Sequence, residues 1–241
     1  MSIDWSGNRL LAAVEPRVRT DVAPRIEALA LERDAILLRT GEEIRQVVFP
    51  VQGMVGLISA SPAGDTVQTG MVGRDGAVGV FEACGSRRST AFAEVQVPGA
   101  ALVMPVADYR RLFTASPGLQ AAVHKFVEVL LAEARQFVAC NALHAVEARF
   151  CRSVLEALDH IGEGDVVPLK QETLSEMLGV QRTTVTAVVS QLQAAGVLRT
   201  WRGGFDVLDR AALERSACSC REHLLAAHAD IYGSDEEVCS S

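Results

Sequence analysis

Apolar and polar positions alternate with a short period from residue 25 to about residue 107, then shift to a helical period. In the first stretch, β-type runs are cut by turn residues. Ala35-Ile36-Leu37-Leu38 is followed by Gly41, Val47–Val51 by Gly53, and Val55–Ile58 by Pro62-Ala63-Gly64-Asp65. Val67–Val72 is followed by Gly73-Arg74-Asp75-Gly76, and Phe92–Val97 by Pro98-Gly99 and Ala101–Val106. Strands of this length with turns about every eight to twelve residues predict a small antiparallel barrel or jelly roll. Residues 1–24 are a weakly patterned leader, with one or two short helices around Leu10–Val14 and with Pro16 and Pro24 as punctuation.

The period then becomes helical. Pro117 stands where a helix tolerates proline. From Leu119 onward, Val123, Phe126, Val127, Leu130, Leu131, Ala134, Phe137 and Val138 recur at three- and four-residue steps. One stripe on so long a helix exceeds what a small β-domain covers, which predicts pairing with the same helix of a second subunit. The alternative is a single helix buried between two domains. Cys140-Asn141-Ala142 reads as a hinge. Ala145–Ile161 reads as the next helix, with Val146, Phe150, Val154, Leu155 and Leu158 inward, and residues 162–165 as a loop.

Leu169–Thr200 reads as helix, tight turn, helix. Leu174, Met177 and Leu178 mark the first helix over 171–178, and Gly179 ends it because glycine accepts the left-handed conformation of a sharp turn. Val180 plugs the turn. Thr183 or Thr184 starts the second helix, whose Val185, Val188, Val189 and Leu192 form one apolar stripe. Gln181, Arg182, Thr183, Thr184 and Thr186 are left facing out near its start, with Lys170 and Gln171 at the start of the first helix. A major groove admits one helix and is read mainly by that helix's N-terminal residues, and these residue types donate to phosphates and base edges. No Asp or Glu lies between Glu176 and Asp206, while Arg182, Arg199 and Arg202 do. Val197–Arg199, a turn at Arg202-Gly203-Gly204 and Phe205–Leu208 form a hairpin, a wing suited to the sugar–phosphate backbone. An ordinary αα-hairpin with a polar outside is the alternative. Ala211–His228 predicts one further helix, and 233–241 an acidic tail.

The net charge of −7 argues against a protein coated in nucleic acid but not against a local basic face. The N-terminus has no secretory pattern and no apolar run is long enough to span a bilayer, so the expected location is cytoplasmic, with no membrane partner. The cysteines at 84, 140, 151, 218, 220 and 239 are therefore expected to be reduced. No nucleophile elbow, Walker loop, zincin motif or dinucleotide fingerprint occurs, so no enzymatic role is expected. Cys218-Ser219-Cys220 with His223 and His228 nearby is a metal candidate, the alternative being a plain C-terminal helix, whereas His144 and His160 stand isolated in the sequence.

The run LxQExLxxMLGVxRTTVT, followed by LQxAGVLRxxRGxFxVLDRxxLE, resembles the winged helix-turn-helix of the Crp/Fnr superfamily of bacterial transcription regulators over about 144–216. LRTGEEIRQVVFPVQGMVGLIS and MVGRDGAVGVFEACG resemble that superfamily's cyclic-nucleotide-binding-like β-roll over about 26–112. The resemblance implies an α+β chain. Its parts are a leader (1–24), a jelly-roll-like sensor (25–115), a dimerisation helix (117–143), a winged helix-turn-helix (144–216, recognition helix about 181–193) and a C-terminal helix and tail (217–241). It implies double-stranded DNA, a second copy of the chain, RNA polymerase and an unknown small-molecule effector as partners. The pocket positions are Gly79, Val80, Glu82, Arg88, Ser89 and Thr90. Ligand-binding members have a Gly-Glu pair where this chain has Gly79-Val80, and Ser89 stands where their arginine does, so classical cyclic-AMP sensing is not expected. Relatives that hold an iron–sulfur cluster do so through N-terminal cysteines, and this chain has none before Cys84. No cofactor is expected. The rival readings are a ligand-binding or protein-interaction module without DNA binding, and a true cyclic-nucleotide-dependent regulator.

Overall fold

In the computed structural model, which describes residues 4–161 and 164–233, two long strands carry the N-terminal half. β1 (Glu27–Leu31), β2 (Ile36–Leu38), β3 (Gln46–Ala60), β4 (Thr66–Val72) and β5 (Phe92–Pro105) form one sheet of order β1-β5-β3-β4, with β2 also on β5. β5 runs antiparallel to β1, from Glu27↔Val103 to Leu31↔Gly99, and to β3, from Gln46↔Pro105 to Ile58↔Phe92.

The turns expected at Gly53 and Pro98-Gly99 are bulges inside β3 and β5. The register of the pair slips between Pro50 and Val55. A Cβ on Gly99 would meet the Gln52 carbonyl oxygen at 2.1 Å, and one on Gly53 the Val97 carbonyl oxygen at 2.6 Å. Two backbones approach too closely there for side chains, so the glycines bend long strands instead of ending short ones.

The leader is more ordered than its pattern suggested. α1 (Arg9–Ala12) and α2 (Pro16–Val22) form, and Pro16 begins a helix instead of interrupting one. Asn8 is fully buried: its carbonyl oxygen caps the N–H groups of Leu10 and Leu11, and its amide donates to the Pro50 and Gly76 carbonyls at 2.8 Å. Leu10, Leu11 and Val14 join Phe49, Ile44, Met54 and Met104 in the core. α3 (Val80–Cys84) and α4 (Val106–Ala115) flank the sheet's strands in sequence, and Tyr109 and Leu112 of α4 are buried.

α5 (Pro117–Leu143) is one uninterrupted helix. The expected hinge at 140–142 lies within it, and the break falls at His144-Ala145. Its apolar residues divide between two neighbouring faces. Leu119, Val123, Phe126, Val129, Phe137 and Cys140 are buried, whereas Val127, Leu131 and Val138 are open.

The chain divides into two compact units. The first comprises the chain up to Ser59 and Met71–Val127, the second Ala60–Gly70 and the chain from Glu128 onward. In the second unit α6 (Val146–Ile161), α7 (Gln171–Leu178) and α8 (Arg182–Ala194) pack with a small sheet of order β6-β8-β7, made by β6 (Val166–Val167), β7 (Leu198–Trp201) and β8 (Gly204–Val207). The β6 strand was unforeseen. Phe150 of α6 meets Phe205 of β8 edge-on at 5.9 Å. Arg152 and Glu156, both buried, pair at 2.6 Å, and the Arg152 guanidinium lies 4.8 Å from the Phe137 ring centre.

The single helix expected over Ala211–His228 is two, α9 (Arg210–Ser216) and α10 (Cys220–Gly233). Ala217 turns to an extended conformation, and the Cys218 N–H donates to the Ala148 carbonyl at 3.3 Å. An unbroken helix would set residues 218 and 220 about 200° apart, yet both are buried. The break lets both cysteines face inward. The acidic tail, with Cys239, lies outside the described residues from 234 onward.

Candidate nucleic-acid interface

The turn between α7 and α8 follows from local chemistry. Gly179 has φ +62°, and its N–H donates to the Glu176 carbonyl while Val180 N–H donates to that of Ser175. These bonds satisfy the carbonyls α7 leaves free at its end. Arg149 of α6 reinforces the turn by donating to the Leu178 carbonyl at 3.0 Å.

α8 starts at Arg182. Its cap is Gln181, in extended conformation and making no side-chain cap bond, so neither Thr183 nor Thr184 serves as the cap. Both threonines lie in the first turn, where the helix dipole is positive and no acid is present. Val185, Val188, Val189 and Leu192 are buried, which turns Gln181, Arg182, Thr183, Thr184 and Thr186 outward, all exposed. No partner holds the Arg182 guanidinium among the described residues. The Thr186 hydroxyl donates to the Gln171 side-chain oxygen and the Arg182 carbonyl, each at 3.0 Å, which ties the start of α7 to the outer face of α8.

The wing completes a concave surface. Lys170, Gln171, Glu172, Arg182, Trp201 and Gly203 are among the residues that line a hollow of about 250 Å³. Arg202 stands exposed at the turn joining β7 and β8. Arg199 is exposed but not free: its guanidinium is bonded to Asp206 across the strand pair, at 2.6 and 3.0 Å. The sequence reading placed Arg199 and Arg202 alike along the sugar–phosphate backbone, whereas the register of the hairpin pairs Arg199 with Asp206 and leaves Arg202 at the turn. It also passed over Trp201 and Glu172. Trp201 is 44% exposed at the wing's end, and the alternation from buried Leu198 through exposed Arg199 could have placed it outward.

The polar pocket candidates of the first unit bond to neighbouring protein groups. Gly79 adopts φ +87° ahead of α3, and Val80 is buried. The Thr90 hydroxyl donates to the Glu82 carboxylate at 3.2 Å, Arg88 donates to the Gly41 carbonyl at 2.9 Å, and the buried Ser89 hydroxyl donates to the Ala91 carbonyl at 2.6 Å. The polar groups that would meet a phosphate or ribose already have protein partners.

Cys218 and Cys220 do not meet His223, which is exposed. They meet Cys140 and His144 at the end of α5, two residues the sequence reading set apart as a hinge and as an isolated histidine. The Cys140 and Cys218 sulfurs lie 3.5 Å apart and share one hydrogen bond, which holds the Cys218 thiol below its ordinary pKa and Cys140 above it.

Residues 148–216 match the Crp-like helix-turn-helix domain family. Among solved structures, the chain resembles a protein assigned to the Crp/Fnr transcriptional regulators from Eubacterium rectale, with 14% identity, a TM-score of 0.69, and 88% of this chain and 98% of that one covered. FixK2 from Bradyrhizobium japonicum follows with 13% identity, a TM-score of 0.68 and coverage of 80% and 98%. A CRP-family transcriptional regulator from Thermus thermophilus shares 21% identity, with a TM-score of 0.62 and coverage of 79% and 96%. No curated protein matches by sequence. No helix among the described residues is long and apolar enough to cross a membrane. Helix, turn, helix and wing thus form a Crp-like helix-turn-helix domain, and the chain that carries it has the fold of the Crp/Fnr regulators it resembles.

Proposed function

We propose that the chain is a homodimeric, sequence-specific regulator that lays the start of α8 in a major groove. The observation that carries this reading is the outward face of Gln181, Arg182, Thr183, Thr184 and Thr186, exposed and acid-free at a helix start. Arg182 is the base-reading or phosphate-gripping group. Lys170, Gln171 and Arg202 hold the backbone, and Arg199 does so only by leaving Asp206. Two copies supply two recognition helices to a two-fold site, and the open face of α5 is the surface through which they pair. The chain acts by binding rather than by catalysis, and it acts where the chromosome lies, in the cytoplasm, with RNA polymerase as the machinery it engages.

The β-roll is the seat of an effector that is not cyclic AMP. Val80 replaces the carboxylate a ribose hydroxyl needs, Glu82 accepts from Thr90, and Arg88 is bonded to the Gly41 carbonyl. Any effector acts through differential affinity for two states of the dimer. A fluorescence-anisotropy titration against the DNA upstream of the chain's own gene, at two salt concentrations, tests the reading. Binding that is tight, salt-sensitive and better than to random DNA is expected. Equal weak binding to all DNA, with and without cell extract, would favour an interaction module that has lost DNA recognition. A rise in melting temperature with cyclic AMP would restore the nucleotide-dependent reading.

A further inference from the structure

The end of α5 and the junction of α9 with α10 bring four soft donors to one point. Cys140 and His144 stand one turn apart, with the His144 N–H on the Cys140 carbonyl at 3.1 Å. Cys218 and Cys220 come from the break between the two C-terminal helices. Cys140 Sγ lies 3.5 Å from Cys218 Sγ, and Cys220 Sγ lies 3.3 Å from His144 Nδ1. All four ligand atoms fall within 4.8 Å of one another, the one such group of His, Cys, Asp or Glu found among the described residues. The three cysteines are buried and His144 is half-buried.

We propose that Cys140, His144, Cys218 and Cys220 are the ligands of a single zinc-like divalent ion. Metal–sulfur bonds of about 2.3 Å and metal–nitrogen bonds of about 2.0–2.1 Å in a tetrahedron set donor–donor separations near 3.5–3.8 Å. The donors already stand close to that spacing, so side-chain rotation completes the shell. Three thiolates and an imidazole suit zinc or another borderline-soft ion, not calcium or magnesium, which take oxygens. An iron–sulfur cluster spreads its ligands over separate irons and needs a wider cage. A disulfide between Cys140 and Cys218 would require closure to about 2.05 Å, and it would leave Cys220 and His144 convergent for no reason.

The surroundings are those of a built site. The Gln136 amide donates to Cys220 Sγ at 2.9 Å, and the Cys218 N–H is fixed on the Ala148 carbonyl at 3.3 Å. Such outer partners orient ligands and hold charge on sulfur. Four protein ligands fill the coordination shell, so the ion would staple helices and has no open position for catalysis.

Cobalt titration of the full chain, reduced and stripped with chelator, tests the site. One cobalt per chain is expected, with the visible bands of tetrahedral cobalt and a thiolate-to-cobalt charge-transfer band. Zinc should displace it, and either ion should raise the melting temperature. Cys140→Ser and Cys220→Ser should each reduce the charge-transfer band and weaken binding by more than the roughly 10–100-fold that loss of an outer partner costs. His144→Cys, which keeps four ligands and leaves the helices intact, should retain binding with bands moved to lower energy. His223→Ala should leave the titration unchanged. The proposal is overturned by a folded wild-type chain with no tetrahedral spectrum, or by a full-strength spectrum in Cys140→Ser. A Cys140–Cys218 disulfide that persists under reductant, or an iron–sulfide chromophore in protein as purified, also overturns it.

Discussion

Replacing Leu131 with Ala should weaken the proposed dimer without unfolding the chain. On α5, Val127, Leu131 and Val138 are 41%, 48% and 72% exposed. At about 100° per residue they fall within roughly 40° of one another, so they form one ridge. Fully burying a valine or leucine side chain is worth about 1.5–3 kcal/mol. Scaled by exposed fraction, the three contribute about 2.5–5 kcal/mol per subunit, and about 5–10 kcal/mol across a two-fold interface in which each copy presents the same ridge. Loss of translational and rotational freedom costs about 4–15 kcal/mol, so the ridge alone only offsets it and each member counts. Leu131→Ala, present in both copies, should cost about 1.5–3 kcal/mol, a roughly 10- to 150-fold rise in dimer Kd. A sedimentation-velocity dilution series with circular dichroism on each sample would measure it. Leu225→Ala, at a residue 46% exposed on α10 and off this ridge, is the control and should change nothing. If Leu131→Ala and Val138→Ala dissociate at the same concentration as the parent chain, the pairing surface is elsewhere.

Arg182→Ala should lose about 1–3 kcal/mol of specific binding if the guanidinium reads a guanine. If instead it holds phosphate, affinity for all sequences should fall together, with a shallower salt dependence. Arg202→Ala should then cost more than Arg199→Ala, because Arg199 must first leave Asp206; competition binding at two salt concentrations distinguishes them. Arg152→Met should destabilise the second unit by about 3–5 kcal/mol in urea unfolding, because it strands the Glu156 carboxylate, whose pKa burial already raises against the pull of Arg152. Replacing both Arg152 and Glu156 with apolar residues should recover most of that loss. In the first unit, the Ser116 hydroxyl and then the Gly118 N–H hold the Glu15 carboxyl below the usual glutamate value of 4.5. Its contribution is therefore complete above that value and drains as pH falls through the lowered one, so Glu15→Gln should flatten the acid limb of a plot of Tm against pH.

The two helices of the helix-turn-helix were legible because each one announces itself locally. The apolar spacing of Leu174, Met177 and Leu178, the glycine at 179 and the valine stripe of α8 all act within a few residues. What escaped was set by partners distant in the chain. Gly53 and Gly99 read as turns because a close approach of two strands leaves the same glycine signature as a chain reversal. Asn8 looked like part of an idle leader because its carbonyl partners, Pro50 and Gly76, are far along the sequence. Arg199 looked free because only the hairpin register sets Asp206 beside it. The metal motif was sought within one stretch, Cys218 to His228, whereas Cys140 and His144 reach the same point from about 75 residues earlier. Local spacing finds ligands on one helix and misses those that two elements bring together.

The Cys–His cluster and the proposed recognition helix α8 are joined by a short run of contacts within the second unit, which makes their coupling testable. Asn141 lies between Cys140 and His144 on the last turn of α5. Its side-chain oxygen accepts from Arg149 Nη1 at 2.6 Å, and the same nitrogen donates to the Leu178 carbonyl at 3.0 Å, the last residue before the turn into α8. An ion that fixes Cys140 and His144 also fixes Asn141, and through Arg149 it biases the turn. Linkage then requires reciprocity: if zinc tightens DNA binding by some factor, DNA tightens zinc binding by the same factor. Coupling of the usual size, about 1–3 kcal/mol, would appear as a roughly 5- to 150-fold difference in DNA affinity between zinc-loaded and stripped protein. Asn141→Ala removes the bridge but no metal ligand and no DNA-facing side chain. It should leave zinc affinity in the absence of DNA nearly intact while shrinking that difference. Equal DNA affinity of loaded and stripped parent protein would show that the ion only staples helices, and an undiminished difference in Asn141→Ala would route the coupling elsewhere.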